Sequence, residues 1–173
     1  MSTIAIFSDT HSSGGHELTG DALEAAQTAE IVIHAGDFTS TTALEAFQNE
    51  CDRLFAVHGN ADSAAVRERL PTARVVEAGG VRFAVTHRRE GGATGLAMFG
   101  RSRDADVVVS GHSHRPSVVE TDDVLLLNPG SHAQPRGNRP GFAVLEEAGD
   151  ELVGEIREPD GTLVAEFAVA TRG

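Results

Sequence analysis

The sequence predicts an α/β protein in which two mixed β-sheets pack face to face and helices cover the outside. Up to Leu70, short apolar runs alternate with helical patterns, an order that is typical of a parallel sheet with covering helices. Beyond His114, only strand patterns follow, and turn residues separate them. Alternation such as that of Phe142 and Val144 fits a sheet with one packed face, so the simplest assembly joins two sheets.

The first half of the chain is predicted to contain three strands, each followed by a helix. The strands are expected at Thr3 to Phe7, Ile31 to Asp37 and Leu54 to Val57. The helices are expected at Asp21 to Ala29, Thr42 to Asn49 and Ser63 to Leu70. Thr19 can cap the first helix, Ser40 or Thr41 can cap the second, and Pro71 ends the third.

The second half begins with a predicted hairpin. Gly79-Gly80 separates Arg74 to Ala78 from Val81 to Thr86, and such a glycine pair indicates a two-residue turn. A glycine-rich loop, Glu90 to Gly95, should precede a short helix at Leu96 to Ser102. Further strands are expected at Val107 to Ser110, Ser117 to Thr121, Val124 to Leu127, Phe142 to Glu146, Leu152 to Arg157 and Leu163 to Val169.

Size and composition indicate one cytoplasmic domain. A chain of 173 residues, of which 40% are hydrophobic, can bury one core and is short for two, so a single domain over 1–173 is expected. The single cysteine, Cys51, excludes an internal disulfide and fits a reducing compartment. No basic leader and no membrane-spanning apolar stretch occurs, so we expect a soluble cytoplasmic protein without membrane contact. The sequence leaves open whether the chain forms a homo-oligomer.

The charge pattern limits the partners. The formal net charge is −12, from 26 acidic and 14 basic residues, and every basic residue is arginine. Such a surface repels the nucleic-acid backbone and anionic membranes, so general nucleic-acid binding is not expected. Abundant carboxylates without lysine suit a halophilic source, and a codon preference for arginine would explain the same composition.

Residue types that bind metals follow five of the predicted strands. The clearest case is Ile31 to Asp37, a buried β-branched run that ends in a glycine and a carboxylate. In open α/β sheets, ligands bind at the edge where the strands release these side chains. The seven donors expected at one edge are Asp9, His11, Asp37, Asn60, His87, His112 and His114.

This donor set favours two divalent metal ions. Imidazole combined with carboxylate and amide oxygen suits Mn, Fe, Zn, Ni or Co better than Ca or Cu(I). Seven donors exceed the need of one tetrahedral ion, whereas two ions that share one carboxylate use them all. Asp37 has the right position for that shared ligand, and the glycines before several donors let the backbone approach the ions closely.

The ordered motifs resemble those of the calcineurin-like dinuclear metallophosphoesterases. Ser-Asp-Thr-His at Ser8 to His11, Gly-Asn-x-Asp at Gly59 to Asp62 and Asn-Pro-Gly-Ser at Asn128 to Ser131 are similar to the compact YfcE-type phosphodiesterase branch. The resemblance implies a four-layer α/β/β/α sandwich. It also implies two metal sets bridged by Asp37, one of Asp9, His11 and His114 and the other of Asn60, His87 and His112.

The same resemblance implies a phosphodiesterase that acts on a small phosphodiester, with Asp37 and Asn60 as catalytic residues. Two ions, with Mn preferred over Zn, Ni, Fe or Co, would lower the pKa of a bridging water, and the resulting hydroxide would attack phosphorus in line. Asn60 would help to orient the phosphate.

Two departures from the family pattern concern the substrate. Many larger relatives have a histidine after the motif asparagine, whereas this chain has Ala61, so good activity is expected only on diesters with good leaving groups unless His58 or water supplies the proton. The compact branch often has Gly-His after the fourth ligand, whereas Arg88 and Arg89 follow His87 here. The arginines are either a solvated loop pair or, for one of them, a clamp on a substrate phosphate.

The other polar residues near these motifs are expected in supporting roles. His34 should lie in the core, His16 at the cleft entrance and His132 in a turn, while Asp62 and Asn128 should fix loops.

Two further hypotheses come from different classes of protein. One is a non-catalytic protein-binding scaffold of the same fold, as in the retromer-subunit relatives. The other is a structural metal protein, which requires closed coordination and no cleft. The completeness of the seven-donor set favours the enzyme over the scaffold.

Overall fold

The computed structural model describes residues 2–172, and its strands form two β-sheets. In chain order the strands of this part are β1 (Thr3–Phe7), β2 (Ile31–His34), β3 (Leu54–Ala56), β4 (Ala73–Ala78), β5 (Val81–Thr86), β6 (Val107–Val109), β7 (Ser117–Glu120), β8 (Leu125–Asn128), β9 (Phe142–Ala148), β10 (Glu151–Arg157) and β11 (Leu163–Ala170). The first sheet has the order β11-β10-β9-β1-β2-β3, and the second has the order β4-β5-β6-β8-β7. Both sheets are mixed, as predicted.

The parallel strands lie at corresponding places in the two sheets. In the first sheet β1, β2 and β3 are parallel, with Phe7 of β1 level with His34 of β2. In the second sheet β5, β6 and β8 are parallel, with Val85 of β5 level with Val109 of β6. Antiparallel strands extend each sheet, and the β4-β5 hairpin turns at the glycine pair predicted from sequence. Each sheet therefore carries several carboxyl-terminal strand ends at one edge.

Helices cover the outer face of each sheet. The helices are α1 (Gly20–Thr28), α2 (Thr41–Glu50), α3 (Ala64–Arg69) and α4 (Gly92–Ser102). The first three pack on the first sheet, where Ala26, Phe47 and Val66 join one apolar cluster. The fourth packs on the second sheet. The predicted four-layer α/β/β/α arrangement is therefore confirmed.

The two sheets bury a common core between their inner faces. Ile6 and Ile33 from the first sheet belong to the same buried cluster as Phe83 and Val109 from the second. Leu152 on β10 is fully buried in this cluster. Because one cluster joins both sheets, it fixes their edges relative to each other. Among residues 2–172, no helix is both long and apolar enough to cross a membrane.

The start of α4 differs from the prediction. The helix begins at Gly92 rather than Leu96, so most of the predicted loop from Glu90 to Gly95 is helical. Gly91 precedes the helix with φ of +91°, and a Cβ at Gly95 would collide with the Glu90 carbonyl. Glycine is a poor helix former, and packing on the second sheet stabilises a helix that composition disfavours.

The helix caps follow the sequence in part. Ser40, rather than Thr41, caps α2, because its side chain accepts a hydrogen bond from the backbone N–H of Ala43. Thr19 precedes α1, but its side chain makes no capping hydrogen bond. The other boundaries lie within two residues of those predicted, except that β2 ends at His34 and leaves Asp37 in the following loop.

The core between the sheets can be tested at Leu152. Replacement by alanine removes a fully buried side chain, and we expect a loss of about 3 kcal/mol in the free energy of unfolding. Val153, its neighbour on the same strand, is 42% exposed, and Val153→Ala should cost less than about 1 kcal/mol. Urea denaturation followed by circular dichroism measures both values. Equal losses would contradict the placement of Leu152 in the core.

Candidate metal centre

The ends of β1, β2, β5 and β6 meet at a pair of buried carboxylates. Asp9 is 0% exposed and Asp37 is 2% exposed. His11 Nε2 lies 3.7 Å from Asp9 Oδ1 and 3.3 Å from Asp37 Oδ2. His87 Nε2 lies 3.9 Å and 3.1 Å from the same two oxygens. His114 Nε2 lies 3.5 Å from Asp9 Oδ1. Five of the seven predicted donors therefore form one cluster.

The remaining two predicted donors, Asn60 and His112, are exposed and lie beside this cluster. Their side chains contact each other, with Asn60 Oδ1 at 3.0 Å from His112 Nδ1. The backbone N–H of His112 donates to Asp9 Oδ2 at 3.0 Å, and its ring centroid is 5.4 Å from that of His87. All seven residues are thus connected, although these two side chains contact each other rather than a carboxylate.

Two histidine rings are oriented by backbone carbonyls. The Nδ1–H of His87 donates to the carbonyl of Ala35 at 2.8 Å, and that of His114 donates to the carbonyl of Gln134. Because Nδ1 is the donor, Nε2 of the neutral ring carries a lone pair. A lone pair that faces carboxylate oxygens is repelled by them unless a proton or a cation lies between.

Three buried atoms of the cluster have no hydrogen-bond partner in the described part of the chain. They are Asp9 Oδ1, His11 Nε2 and His87 Nε2. The donor atoms of Asp9, His11 and His114 lie within 4.8 Å of one another, and so do those of Asp9, Asp37 and His87. Buried polar atoms are normally paired, so unpaired donors that converge fit a bound cation. Metal–ligand bonds of about 2 Å suit these separations.

The backbone at the cluster is left-handed at five of the seven predicted donors. Their φ angles lie between +45° and +76°, at Asp9, His11, Asp37, His112 and His114. Each such conformation costs a non-glycine residue on the order of 1 kcal/mol or more. No sequence signal predicted these turns, because glycine and asparagine, which usually mark them, do not occupy these positions.

Asp62 joins two of the loops that carry the donors. Its Oδ2 accepts hydrogen bonds from the backbone N–H groups of Asp37 at 3.0 Å and Gly59 at 2.7 Å. Its Oδ1 accepts from the N–H of Thr39 at 2.7 Å. Its carboxylate is thereby shared between the loops after β2 and β3, which confirms the predicted loop-fixing role.

Asn128 and Ser8 fix the loops on the other side of the cluster. The Asn128 amide donates to the carbonyl of Gly111 at 3.1 Å and to the hydroxyl of Ser113 at 3.0 Å. Ser8 donates to Asp9 Oδ2 at 2.9 Å. Asp9 Oδ2 is therefore bonded, while Oδ1 faces the histidines. Sequence reasoning missed the role of Ser8, for which the only signal is its place before the carboxylate.

Glycine is required where the loops after β2 and β3 touch. A Cβ at Gly59 would collide with the Asp37 carboxylate and would lie 2.8 Å from the ring of His87. Gly36 has φ of +104°, and a Cβ there would lie 2.8 Å from the nitrogen of Gly59. The predicted close approach of the backbone to the donors is therefore confirmed at these two positions.

The carboxylates shift the pKa values of the histidines around them. Burial would raise the pKa of Asp37, but the close approach of His11 Nε2 and His87 Nε2 to its carboxylate holds it well below its usual range. The contacts with Asp37 and then Asp9 raise the pKa of His11 to about 9. Burial lowers the pKa of His87, but the neighbouring carboxylates of Asp37 and Asp9 together outweigh it and the net direction is upward. A protonated imidazole at this place supplies positive charge to the carboxylates, and a bound divalent cation would supply the same charge.

The predicted substrate residues lie next to the cluster. Arg88 is exposed and makes no ion pair among residues 2–172. Arg89 is also exposed, and its guanidinium lies 4.3 Å from the ring centroid of Phe99. His58 has a buried Nδ1 without a hydrogen-bond partner in the same range. Arg88, His58 and Asn60 line a cleft of about 120 Å³.

The other histidines have structural contacts. His34 is fully buried and its ring bonds to Thr10 Oγ1 at 2.8 Å, and burial lowers its pKa well below the ordinary value. His132 is buried and its Nε2–H donates to the carbonyl of His16 at 2.9 Å. Burial lowers the pKa of His132 to about 4. Both rings are therefore neutral at pH 7, as supporting roles require.

A four-layer sandwich with a carboxylate–histidine cluster at its strand ends is typical of α/β proteins that bind divalent metal ions, and this chain has both features. The sequence model of the calcineurin-like phosphoesterase superfamily domain matches residues 2–150, and the chain belongs to this family. The family, whose members bind divalent metals, was the one indicated by the sequence motifs.

Individual relatives agree with this assignment. The chain is 34% identical over 161 residues to a probable metallophosphoesterase of Methanothermobacter thermautotrophicus, covering 88% of this chain and 90% of that one. It is 31% identical over 138 residues to a phosphodiesterase of Methanocaldococcus jannaschii, covering 73% and 82%. The solved structure of vacuolar protein sorting 29 from Cryptosporidium parvum has a TM-score of 0.83 at 23% identity and covers 98% of both chains, which shows a shared fold.

The buried state of His132 predicts a pH dependence of stability. Its pKa in the folded chain is about 4, below the ordinary 6.5, so the unfolded chain binds a proton that the folded chain does not. Stability that is present above pH 6.5 is therefore lost as the pH falls toward 4, at up to about 1.4 kcal/mol per pH unit. His132→Gln keeps a donor for the His16 carbonyl but does not titrate.

Urea denaturation with chelator present, between pH 7 and pH 4, compares the two proteins. The parent should lose more unfolding free energy over this range than the His132→Gln variant, by about 3 kcal/mol. The difference between the two profiles is independent of any constant loss caused by the substitution. Parallel profiles would contradict a neutral buried His132.

Proposed function

We propose that this protein is a metal-dependent phosphodiesterase that holds two divalent ions, with Mn preferred. The main support is the convergence of unpaired donor atoms from Asp9, His11 and His87 around the Asp37 carboxylate. Carboxylate and imidazole donors suit such ions. Family membership supports a phosphate ester as the substrate, and the relative named a phosphodiesterase supports a diester.

The distances support Asp37 as the ligand that two ions share. Asp37 Oδ2 is 3.3 Å from His11 Nε2 and 3.1 Å from His87 Nε2, and these histidines belong to different sets in the assignment proposed here. Asn60 and His112 would complete the second set from the exposed side. The proposed sets are Asp9, His11 and His114 for one ion and Asn60, His87 and His112 for the other.

The proposed reaction is the hydrolysis of one ester bond of a phosphodiester. A bond forms between a water oxygen and phosphorus while the bond to the leaving alcohol breaks, which yields a phosphomonoester and an alcohol. Divalent ions bound at the cluster would lower the pKa of water and neutralise charge on the phosphate. In the proposed reaction the exposed amide of Asn60 would donate a hydrogen bond to a phosphate oxygen.

The leaving alcohol needs a proton, and the chain offers few groups that can supply it. Ala61 has no acidic side chain, and its backbone N–H instead donates to Asp37 Oδ1 at 2.8 Å. His58 shares the small cleft with Asn60 and is the candidate donor, with water as the alternative. Diesters of acidic alcohols, which leave without protonation, should therefore react fastest.

A non-catalytic protein-binding scaffold is the second candidate function. It is favoured by the likeness in fold to vacuolar protein sorting 29, whereas the complete donor cluster favours the enzyme. Chelator-sensitive turnover separates the two, because a scaffold that keeps its metal would bind ions and turn over no diester.

The metal requirement can be tested with bis(p-nitrophenyl) phosphate and Mn²⁺. Parent protein should hydrolyse the diester, lose activity with chelator and regain it with Mn²⁺. Asp37→Asn keeps the shape of the side chain but removes a charge from the cluster, so both metal content and activity should fall by at least about tenfold. Asp52→Asn, at an exposed aspartate, serves as the control. An Asp37→Asn protein with two bound ions would contradict the shared-ligand assignment.

The arginines can be separated by kinetics. Arg88→Ala should raise KM about fivefold and leave kcat within about twofold, because an exposed ion pair contributes at most about 1 kcal/mol to binding. Arg89→Ala should change KM less, since its guanidinium already stacks on Phe99. Arg53→Ala, at an exposed arginine that stacks on Phe55, is the matched control. An unchanged KM for Arg88→Ala would favour a solvated loop pair.

A further inference from the structure

A second, larger cleft lies on the outer face of the second sheet and reaches the candidate metal centre. It encloses about 330 Å³ between the first turns of α4 and strands β7 and β8. Leu96 of α4, Val119 of β7 and Leu126 of β8 contribute apolar side chains to its lining. His112 lines the same cleft, so the cleft and the metal centre share a residue.

The apolar part of this cleft is open to solvent at Val119. Val119 is 42% exposed and is paired in register with Leu126 on the adjacent strand. Farther along the outer face, the second half of α4 covers Ala84 and Val108. The uncovered part of the sheet is thus the part next to His112. An apolar surface at that place fits an apolar part of a molecule whose polar part lies at the metal centre.

Positive charge lines the same cleft. Arg88 and Arg89 both contribute to its lining in a chain with a net charge of −12. Elsewhere, Arg82 and Arg172 form ion pairs with carboxylates, whereas Arg88 and Arg89 form none among residues 2–172. Two arginines without carboxylate partners make the cleft locally attractive to an anion and unfavourable to a cation.

One polar group lies deep in the cleft. Ser110 lines it and is 6% exposed. Its backbone N–H donates to the carbonyl of Leu127 at 3.0 Å. A hydroxyl in the lining of a cleft can bond to a polar atom of a ligand held there.

We propose that this cleft binds an aromatic ester group of an anionic phosphodiester. The proposal rests on the proposed phosphodiesterase function, because the phosphate would lie at the metal centre next to His112. The cleft is large enough for a flat ring, part of its wall is apolar, and its arginines select against diesters with a cationic group. The substrate class is therefore an aryl or nucleoside-like diester rather than a simple alkyl diester.

The test compares two phosphomonoesters that differ only in the apolar group. Phenyl phosphate and methyl phosphate are used as inhibitors of the Mn²⁺-loaded protein during hydrolysis of bis(p-nitrophenyl) phosphate. Phenyl phosphate should inhibit about tenfold more strongly, a factor that corresponds to about 1.4 kcal/mol. Equal inhibition by the two esters would overturn the proposal.

Two matched variants locate the preference. Val119→Glu and Val153→Glu change residues that are each 42% exposed on a strand, and both add one negative charge. Val119→Glu should reduce the preference for phenyl phosphate to near one, because it puts a carboxylate into the cleft. Val153→Glu, on the other sheet, should keep the tenfold preference. A preference that survives Val119→Glu would place the phenyl group elsewhere.

A binding measurement separates the cleft from the activity. Phenyl phosphate added to isotopically labelled, zinc-loaded protein should shift the backbone amide signals of Val119 and Leu126, and methyl phosphate should not. These shifts in a protein without diester hydrolysis would support the cleft and overturn the proposed function. Shifts confined to the residues of the metal centre, with hydrolysis present, would overturn the cleft alone.

Discussion

The burial of two carboxylates at one point is the constraint on which the rest of the structure depends. Asp9 and Asp37 are almost inaccessible to solvent, and the Nε2 atoms of three histidines lie within 3.5 Å of their oxygens, at 3.3 Å, 3.1 Å and 3.5 Å. Two buried like charges destabilise a fold unless positive charge lies near both. The parallel strands of both sheets satisfy this condition, because their carboxyl ends bring histidines from the second sheet to carboxylates from the first.

Left-handed backbone at the donors shows how the chain holds these charges together. Regular strand geometry would send successive side chains to opposite faces, and a turn after each strand redirects Asp9, Asp37 and His114 toward one point. Such turns store strain, so they persist only where other contacts hold them. Asp62 supplies those contacts for the loops after β2 and β3, and Asn128 supplies them for the loop after β6.

The hydrophobic pattern of the sequence predicted most of the strands and helices. The features that it did not predict depend on contacts between residues distant in sequence. The apolar runs predicted the ends of most strands to within two residues, because the burial of a strand shows directly in the hydrophobicity of its own residues. The start of α4 was wrong, since packing on the second sheet, rather than local propensity, makes its glycines helical. The clustering of five predicted donors was foreseen from the rule for parallel strand ends. The resemblance put Asn60 and His112 in one metal set, but it did not predict that their side chains contact each other directly.

The acidic surface and the proposed anionic substrate are compatible because charge acts locally. At physiological ionic strength a charge is screened over about 8 Å, and over about 3 Å in 1 M salt. A net charge of −12 spread over the surface is therefore largely screened from a phosphate held at the metal centre. The cleft beside the metal centre is lined by Arg88 and Arg89 and, in the described part of the chain, by no acidic residue. Because two arginines and, among residues 2–172, no carboxylate line this cleft, the charge that an anion meets there is positive although the chain as a whole is acidic.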